Sequence, residues 1–288
     1  MQTLLEFRQS RISYHRWGHG PRLLVCLHGY GESATSFSFL EESWGDAFTI
    51  FAIDLPYHGQ TDWKEDPLTA ETMLLLINEI LMRELGPLEE PPATTPGAAG
   101  APSYQSPWWL MGYSMGGRIA LSLLEKAPEK VERLILLAPD GLIVNPWYWL
   151  ATQTSPGRLL FKWTMYHPGW FFFLLRTGNA LKLVNPSVYK FVSTYIGNRQ
   201  IREELYIRWT GFRFFRPRIA AIKGIIRSRQ LPVQLLYGKF DRIIRVERGE
   251  QFRKGIESWC QLTVTAAGHQ LLKKDHMQVL LSLLFEPR

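Results

Sequence analysis

"WWLMGYSMGGRIALSLL", Trp108 to Leu124, joins two structural patterns in seventeen residues. Trp108 to Met111 is a continuous apolar run, as expected of a parallel strand covered on both faces. Farther along, Ile119, Leu123 and Leu124 recur at helical spacing. Between the two stand Gly112-Tyr113-Ser114-Met115-Gly116, followed by Gly117. A strand passes this abruptly into a helix only through a sharp turn, and small residues beside the serine let that turn close. The turn pushes the Ser114 hydroxyl out of the backbone. The helix that starts there aims its unpaired N–H groups and positive dipole end at the same place.

The strand-then-helix rhythm recurs along the 288 residues. Arg11 to Arg16 alternates weakly as an early strand. Leu23 to Leu27, Thr49 to Ile53, Leu134 to Ala138 and Val233 to Tyr237 are further short apolar runs bounded by Gly, Pro or Asp. Helical faces appear at Met73, Leu76, Ile77 and Ile80, and again at Met277, Leu280, Leu281 and Leu284. The pattern predicts an α/β fold, a mostly parallel twisted sheet with helices on both faces.

Two segments break the rhythm. Gly86 to Pro107, "GPLEEPPATTPGAAGAPSYQSP", has no period and is expected to be a flexible surface loop. The stretch from Leu142 to Gln230 has helical patterns but no clear strand, and is expected to be an inserted helical cap. Residues 1–141 and 231–288 then form the α/β core. The formal charge of +7 is uneven: residues 142–230 hold 14 Lys and Arg against Glu203 and Glu204, a balance of +12 that leaves −5 elsewhere. A basic but aromatic-rich insertion on an acidic remainder does not read as a nucleic-acid protein.

Hydrophobic content of 46% with 20% charged residues excludes a disordered chain. The N-terminal segment carries no signal-peptide pattern, and no run reaches the ~18 apolar residues of a membrane span. Cys26 lies in an aliphatic run, and two cysteines are too few for a disulfide framework. Buried, reduced thiols in a cytoplasmic protein are expected. No metal-ligand spacing, dinucleotide fingerprint or phosphate loop is present, so no metal and no cofactor are expected.

A serine hydroxyl becomes a useful nucleophile only when an oriented base takes its proton. "LLYGKFDRIIR" places Asp241 just past a strand, and "LTVTAAGHQLLKKD" places His269 just past the next. In chain order these are a serine, a candidate acid and a candidate base.

With these residues the chain resembles the α/β-hydrolase superfamily, of the AB hydrolase-1 type, over most of its length outside the loop and the insertion. The resemblance implies Ser114 as nucleophile, Asp241 as acid and His269 as base. "CLHGYGES", Cys26 to Ser33, is similar to the family's His-Gly loop. It implies an oxyanion hole made of the backbone N–H groups of Tyr30 and Met115, with Gly29 letting the chain approach the substrate. "DLPYHGQT", Asp54 to Thr61, resembles a structural turn of the family with Tyr57 in place of a glycine. Arg245 stands where the family often has proline.

Asp140, in "LILLAPDGL", also follows a strand and is the alternative acid; the strand-end context of Asp241 favours the latter. His28 is read as a brace for its loop, His58 as a turn residue, His276 as a surface residue and Asp54 as structural. Arg118 completes "GYSMGGR", which also resembles a menaquinone-pathway synthase whose arginines hold a polycarboxylate. Arg118 is therefore a candidate substrate contact.

The expected activity is that of a serine hydrolase cleaving a carboxylic ester or related acyl bond through an acyl-enzyme. The alternatives are a lyase or carbon–carbon bond hydrolase acting on an anionic substrate, and a non-catalytic ligand-binding relative. The expected partner is a small-molecule ester or acyl substrate with an apolar portion. The aromatics of the insertion suit its own packing or an acyl pocket, and its basic residues suit solvent, substrate anions or transient contact with an anionic membrane surface.

Overall fold

A computed structural model describes residues 2–86, 102–143, 146–183, 189 and 196–285. Most of the loop expected at 86–107 lies outside these residues. Contacts divide the chain into two compact units: residues 1–143 with 215–288, and residues 144–214.

The first unit is built on an eight-stranded sheet in the order β1-β2-β4-β3-β5-β6-β7-β8. β1 (Gln2–Phe7) and β2 (Ser10–Trp17) form an antiparallel hairpin, and β2 pairs antiparallel with β4 (Phe48–Ile53). The remaining pairs are parallel: β4 with β3 (Arg22–Leu27), then β5 (Trp108–Tyr113), β6 (Val131–Leu137), β7 (Val233–Gly238) and β8 (Cys260–Thr265). Every residue of β4, β5 and β7 is buried, which is why these strands read as unbroken apolar runs. The edge strands β1 and β8 are partly exposed.

β1 has no counterpart in the sequence reading. Its burial follows a short alternation ending at Leu5 and Phe7, and it enters a tight turn at Arg8, where φ is +54°.

Helices cover the sheet with the stripes their spacing predicts. After the short α1 (Glu41–Trp44), α2 (Ala70–Leu85) buries Met73, Leu76, Ile77 and Ile80. Each such side chain removed from water stabilises by about 1.5–3 kcal/mol. The Thr69 side chain accepts the Thr72 N–H at 3.2 Å and so caps the helix, which ends before Gly86 at φ +65°. α3 (Met115–Lys126) buries Ile119, Leu123 and Leu124.

The second unit is helical in its described residues: α4 (Pro146–Gln153), α5 (Ser155–Tyr166), α6 (Gly169–Ala180) and α7 (Arg199–Gly211). Half-buried aromatic side chains meet between its helices. Tyr148 meets Trp209 at 5.3 Å, and Phe161 meets Tyr206 and Trp209, each at 5.5 Å. Arg202 is buried and gives its guanidinium to the carbonyls of Met165, Ile196 and Gly197 at 2.8, 2.6 and 3.0 Å. Among the described residues its charge is thus solvated by backbone carbonyl dipoles rather than by a carboxylate.

The boundary differs from the expected 142–230. α8 (Ile219–Arg229) belongs to the first unit, where it packs on α3 and buries Ile222 and Ile226. Arg218 at its start bonds Glu125 of α3 through both backbone N–H and side chain. In the C-terminal third, α9 (Val246–Arg253) lies between β7 and β8, and α10 (Met277–Phe285) closes the described chain. The buried stripe of α10 includes Met277, Leu280 and Leu283, while Leu281 is half-buried. No helix among the described residues is long and apolar enough to cross a membrane.

Candidate functional site

Because β3 and β5 to β8 run parallel, their carboxyl ends gather along one edge of the sheet. In open α/β sheets that edge is where ligands bind. The loops leaving β3, β5, β7 and β8 carry Tyr30, Ser114, Asp241 and His269 respectively.

Ser114 sits between β5 and α3 at φ +50°, ψ −115°. A non-glycine residue in this region stores on the order of 1–3 kcal/mol of strain, and the turn is over-determined by its neighbours. The Ser114 N–H donates to Leu137 O at 2.9 Å, and the Ser114 carbonyl accepts from Gly117 and Asp140 N–H groups, each at 2.9 Å. The glycines around it are sterically required. A Cβ on Gly112 would lie 2.6 Å from Gly116 O, and one on Gly117 would lie 2.5 Å from Pro139 Cβ.

Gly116 has a second effect. A Cβ there would meet Leu27 O at 2.0 Å and His28 O at 2.7 Å. Its absence lets the first turn of α3 lie directly against the end of β3 and the loop that follows. Met115, as the first residue of α3, has no acceptor for its N–H within the helix. The 29–32 turn is closed twice, by Glu32 N–H to Gly29 O at 3.3 Å and by Gly29 N–H to Glu32 Oε2 at 3.3 Å. Tyr30 and Gly31 form its tip, and Gly31 takes φ +74°, a position that favours glycine.

His28 holds this loop to its neighbour. Its Nε2 accepts the Leu55 N–H at 3.0 Å, so the ring proton resides on Nδ1, which faces Gly29 O at 2.8 Å. Asp54 is structural in the same sense: Oδ1 accepts from Ala34 N–H at 2.7 Å and Oδ2 from Gln60 N–H at 3.0 Å. Tyr57, in the place of the family's glycine, retains a glycine-like φ of +64°. His58 is a turn residue as expected but is buried, with its ring against His28 and Tyr30 at 5.2 and 5.9 Å.

Three side chains from three loops form a line. His269 Nε2 stands 3.0 Å from Ser114 Oγ, and His269 Nδ1 stands 2.7 Å from Asp241 Oδ2. Asp241 is fully buried at its side chain, and its other oxygen accepts the N–H groups of Ile243 and Ile244 at 2.8 and 2.9 Å. His269 and two backbone N–H groups thus fix both oxygens of the carboxylate. Tyr113 positions the histidine from the other side, donating its hydroxyl to His269 O at 2.9 Å.

Asp140 is turned elsewhere. Its Oδ2 faces Arg118 Nε at 3.5 Å and its Oδ1 accepts the Gly141 N–H at 2.8 Å. Arg118 is buried beneath it, with its charge directed to that carboxylate.

The residue the sequence reading omitted is Glu32. Its carboxylate lies in the His-Gly turn, within electrostatic reach of Tyr113 and His269. Burial raises its pKa above the usual carboxylate value, partly opposed by the Gly29 N–H and by His269. The signal available was an acid three residues after Gly29 in a loop already assigned to the site. Both cysteines are unpaired and buried, and burial pushes the Cys260 thiol up to about 12. Among the described residues, no group of three or more His, Cys, Asp or Glu could hold a metal ion.

Residues 92–275 match the Hydrolase_4 family model, described as serine aminopeptidase, S33. The uncharacterized hydrolase YugF of Bacillus subtilis (strain 168) is 25% identical over 262 residues, spanning 88% of this chain and 86% of YugF. A pimeloyl-[acyl-carrier protein] methyl ester esterase of Nitrosomonas europaea is 30% identical over 143 residues, 49% of this chain and 46% of the esterase. Among solved structures, the thioesterase domain from the curacin biosynthetic pathway is similar with a TM-score of 0.62 over 99% of both chains, at 16% identity. At that identity the likeness concerns the fold.

Proposed function

Since the chain belongs to the Hydrolase_4 family, serine aminopeptidase S33, within the α/β-hydrolases, we propose that it is a serine hydrolase. In this reading it cleaves a carboxylic ester or related acyl bond through an acyl-enzyme. The observation that carries the reading is the line Ser114 Oγ–His269–Asp241, with contacts of 3.0 and 2.7 Å.

His269 Nε2 takes the Ser114 proton as Oγ bonds to the substrate carbonyl carbon. The imidazolium so formed keeps its Nδ1–H on Asp241, whose buried negative charge stabilises it. The carbonyl oxygen becomes an oxyanion and accepts hydrogen bonds from the Tyr30 and Met115 N–H groups. One such donor is worth ~3 kcal/mol in other serine enzymes. Collapse of the tetrahedral intermediate breaks the bond to the leaving oxygen, which takes the proton from His269. Water then enters, gives a proton to His269, and attacks the acyl carbon. The acid leaves, and the proton returns to Ser114.

The substrate expected is a small ester with an apolar acyl or aryl portion. Support for ester chemistry comes from the esterase among its relatives. Hydrolysis of short-chain p-nitrophenyl esters tests the reading. The wild-type chain should turn over catalytically, and Ser114→Ala should lose about 10⁴-fold or more in kcat. Equal rates for the two proteins would refute it.

A further inference from the structure

The second unit exposes many large apolar side chains. α6, "GWFFFLLRTGNA", has no buried residue along its twelve positions. Phe173 is 68% exposed and Leu174 55%, and on α5 Leu159 is 70% exposed. α5 and α6 pack together, and the stack of Trp163 on Trp170 at 5.7 Å joins their surfaces. A contiguous apolar face of this kind marks a binding surface.

Its charge indicates what binds. No Asp or Glu occurs from Gly141 to Arg202, so α5 and α6 carry Arg158, Lys162 and Arg176 and no acid at all. Residues 144–214 hold nine Lys and Arg against Glu203 and Glu204, a balance of +7 that equals the formal charge of the whole chain. The two glutamates face Arg199 and Arg208 of their own helix, at 2.8 and 3.2 Å. Lys162 and Arg176 are exposed among the exposed apolar side chains.

We propose that this face docks on an anionic lipid surface. Aromatic and aliphatic side chains would enter the headgroup and acyl boundary while the lysine and arginines meet lipid phosphates. Tryptophan beside basic residues suits that interface, where one side is apolar and the other wet. A second copy of the chain fits less well, because pairing two such faces would oppose three cations with three and no acid. No helix among the described residues is long and apolar enough to cross a membrane. The docking is independent of the chemistry at Ser114.

Flotation of the full chain with vesicles tests this directly. Against vesicles of about one-third phosphatidylglycerol in phosphatidylcholine, the chain should float at low salt and be released at high salt. Pure phosphatidylcholine should retain about tenfold less. Phe173→Ser with Leu159→Ser, and separately Lys162→Glu with Arg176→Glu, should each reduce flotation about tenfold. All four residues are exposed, so melting temperature and hydrolysis of a soluble ester serve as controls for folding and should not change. Failure to float, or equal binding to neutral and anionic vesicles, would overturn the proposal. So would salt-stable dimers that the same substitutions abolish without any lipid binding.

Discussion

Asp241 holds His269 through one carboxylate oxygen, at 2.7 Å from Nδ1, while the other oxygen is held by the Ile243 and Ile244 N–H groups. The carboxylate therefore has one orientation, and the imidazole inherits it. Asp140 also follows a parallel strand, yet it faces Arg118 rather than the histidine. Asp241→Asn should lower kcat about 10⁴-fold, since an amide no longer selects the Nδ1–H tautomer. Asp140→Asn should leave kcat within about threefold. Steady-state kinetics of the two variants on one ester decides between them; a greater loss in Asp140→Asn would move the acid to the end of β6.

The close packing at Gly116 predicts a contrast between two glycines. Gly116→Ala puts a Cβ at 2.0 Å from Leu27 O, a backbone atom that cannot step aside. The variant should lose about 1–3 kcal/mol of stability, or more, as an overpacked site does. Gly31→Ala meets nothing within 4 Å and carries only the cost of φ +74°, about 1–2 kcal/mol. Denaturant unfolding of both variants checks stability. At the candidate site, Gly116→Ala should also lower kcat, because it separates the Tyr30 loop from the start of α3.

Glu32 supplies a pH signature. Its carboxyl pKa is raised in the folded chain because burial penalises the charged form. Between the ordinary value of 4.5 and the raised one, the folded state holds more proton than the unfolded state. Its contribution to stability is therefore present below the ordinary value and is lost as pH rises through that window. Glu32→Gln keeps an acceptor for the Gly29 N–H and removes the titration. Relative to wild type, the variant should gain stability at neutral pH, and the gain should vanish near pH 4. Melting curves across this range check it; an equal difference at every pH would contradict the assignment.

Much of this arrangement was legible in the residues because its physics is local. Strands β3 to β7 are buried on both faces and so appear as short apolar runs. The glycines at 112, 116 and 117 announce close approaches that only glycine permits. β1 was missed because it is a partly exposed edge strand whose alternation is short. The end of the helical insertion was misplaced because helical spacing does not say which body a helix packs on. Ile222 and Ile226 give α8 an apolar stripe, but only its contact with α3 assigns it to the first unit. Glu32 escaped for another reason: its half-buried carboxylate is within electrostatic reach of Tyr113 and His269, which segments distant in sequence supply.

Covalent labelling addresses the central claim most directly. The full chain should react with a fluorophosphonate in a 1:1 ratio, and peptide mapping should place the adduct on the Ser114 oxygen. Asp241→Asn should slow the labelling, and Ser114→Ala should abolish it. An adduct on another residue, or a wild-type chain that stays unlabelled while its triad geometry is intact, would contradict the account.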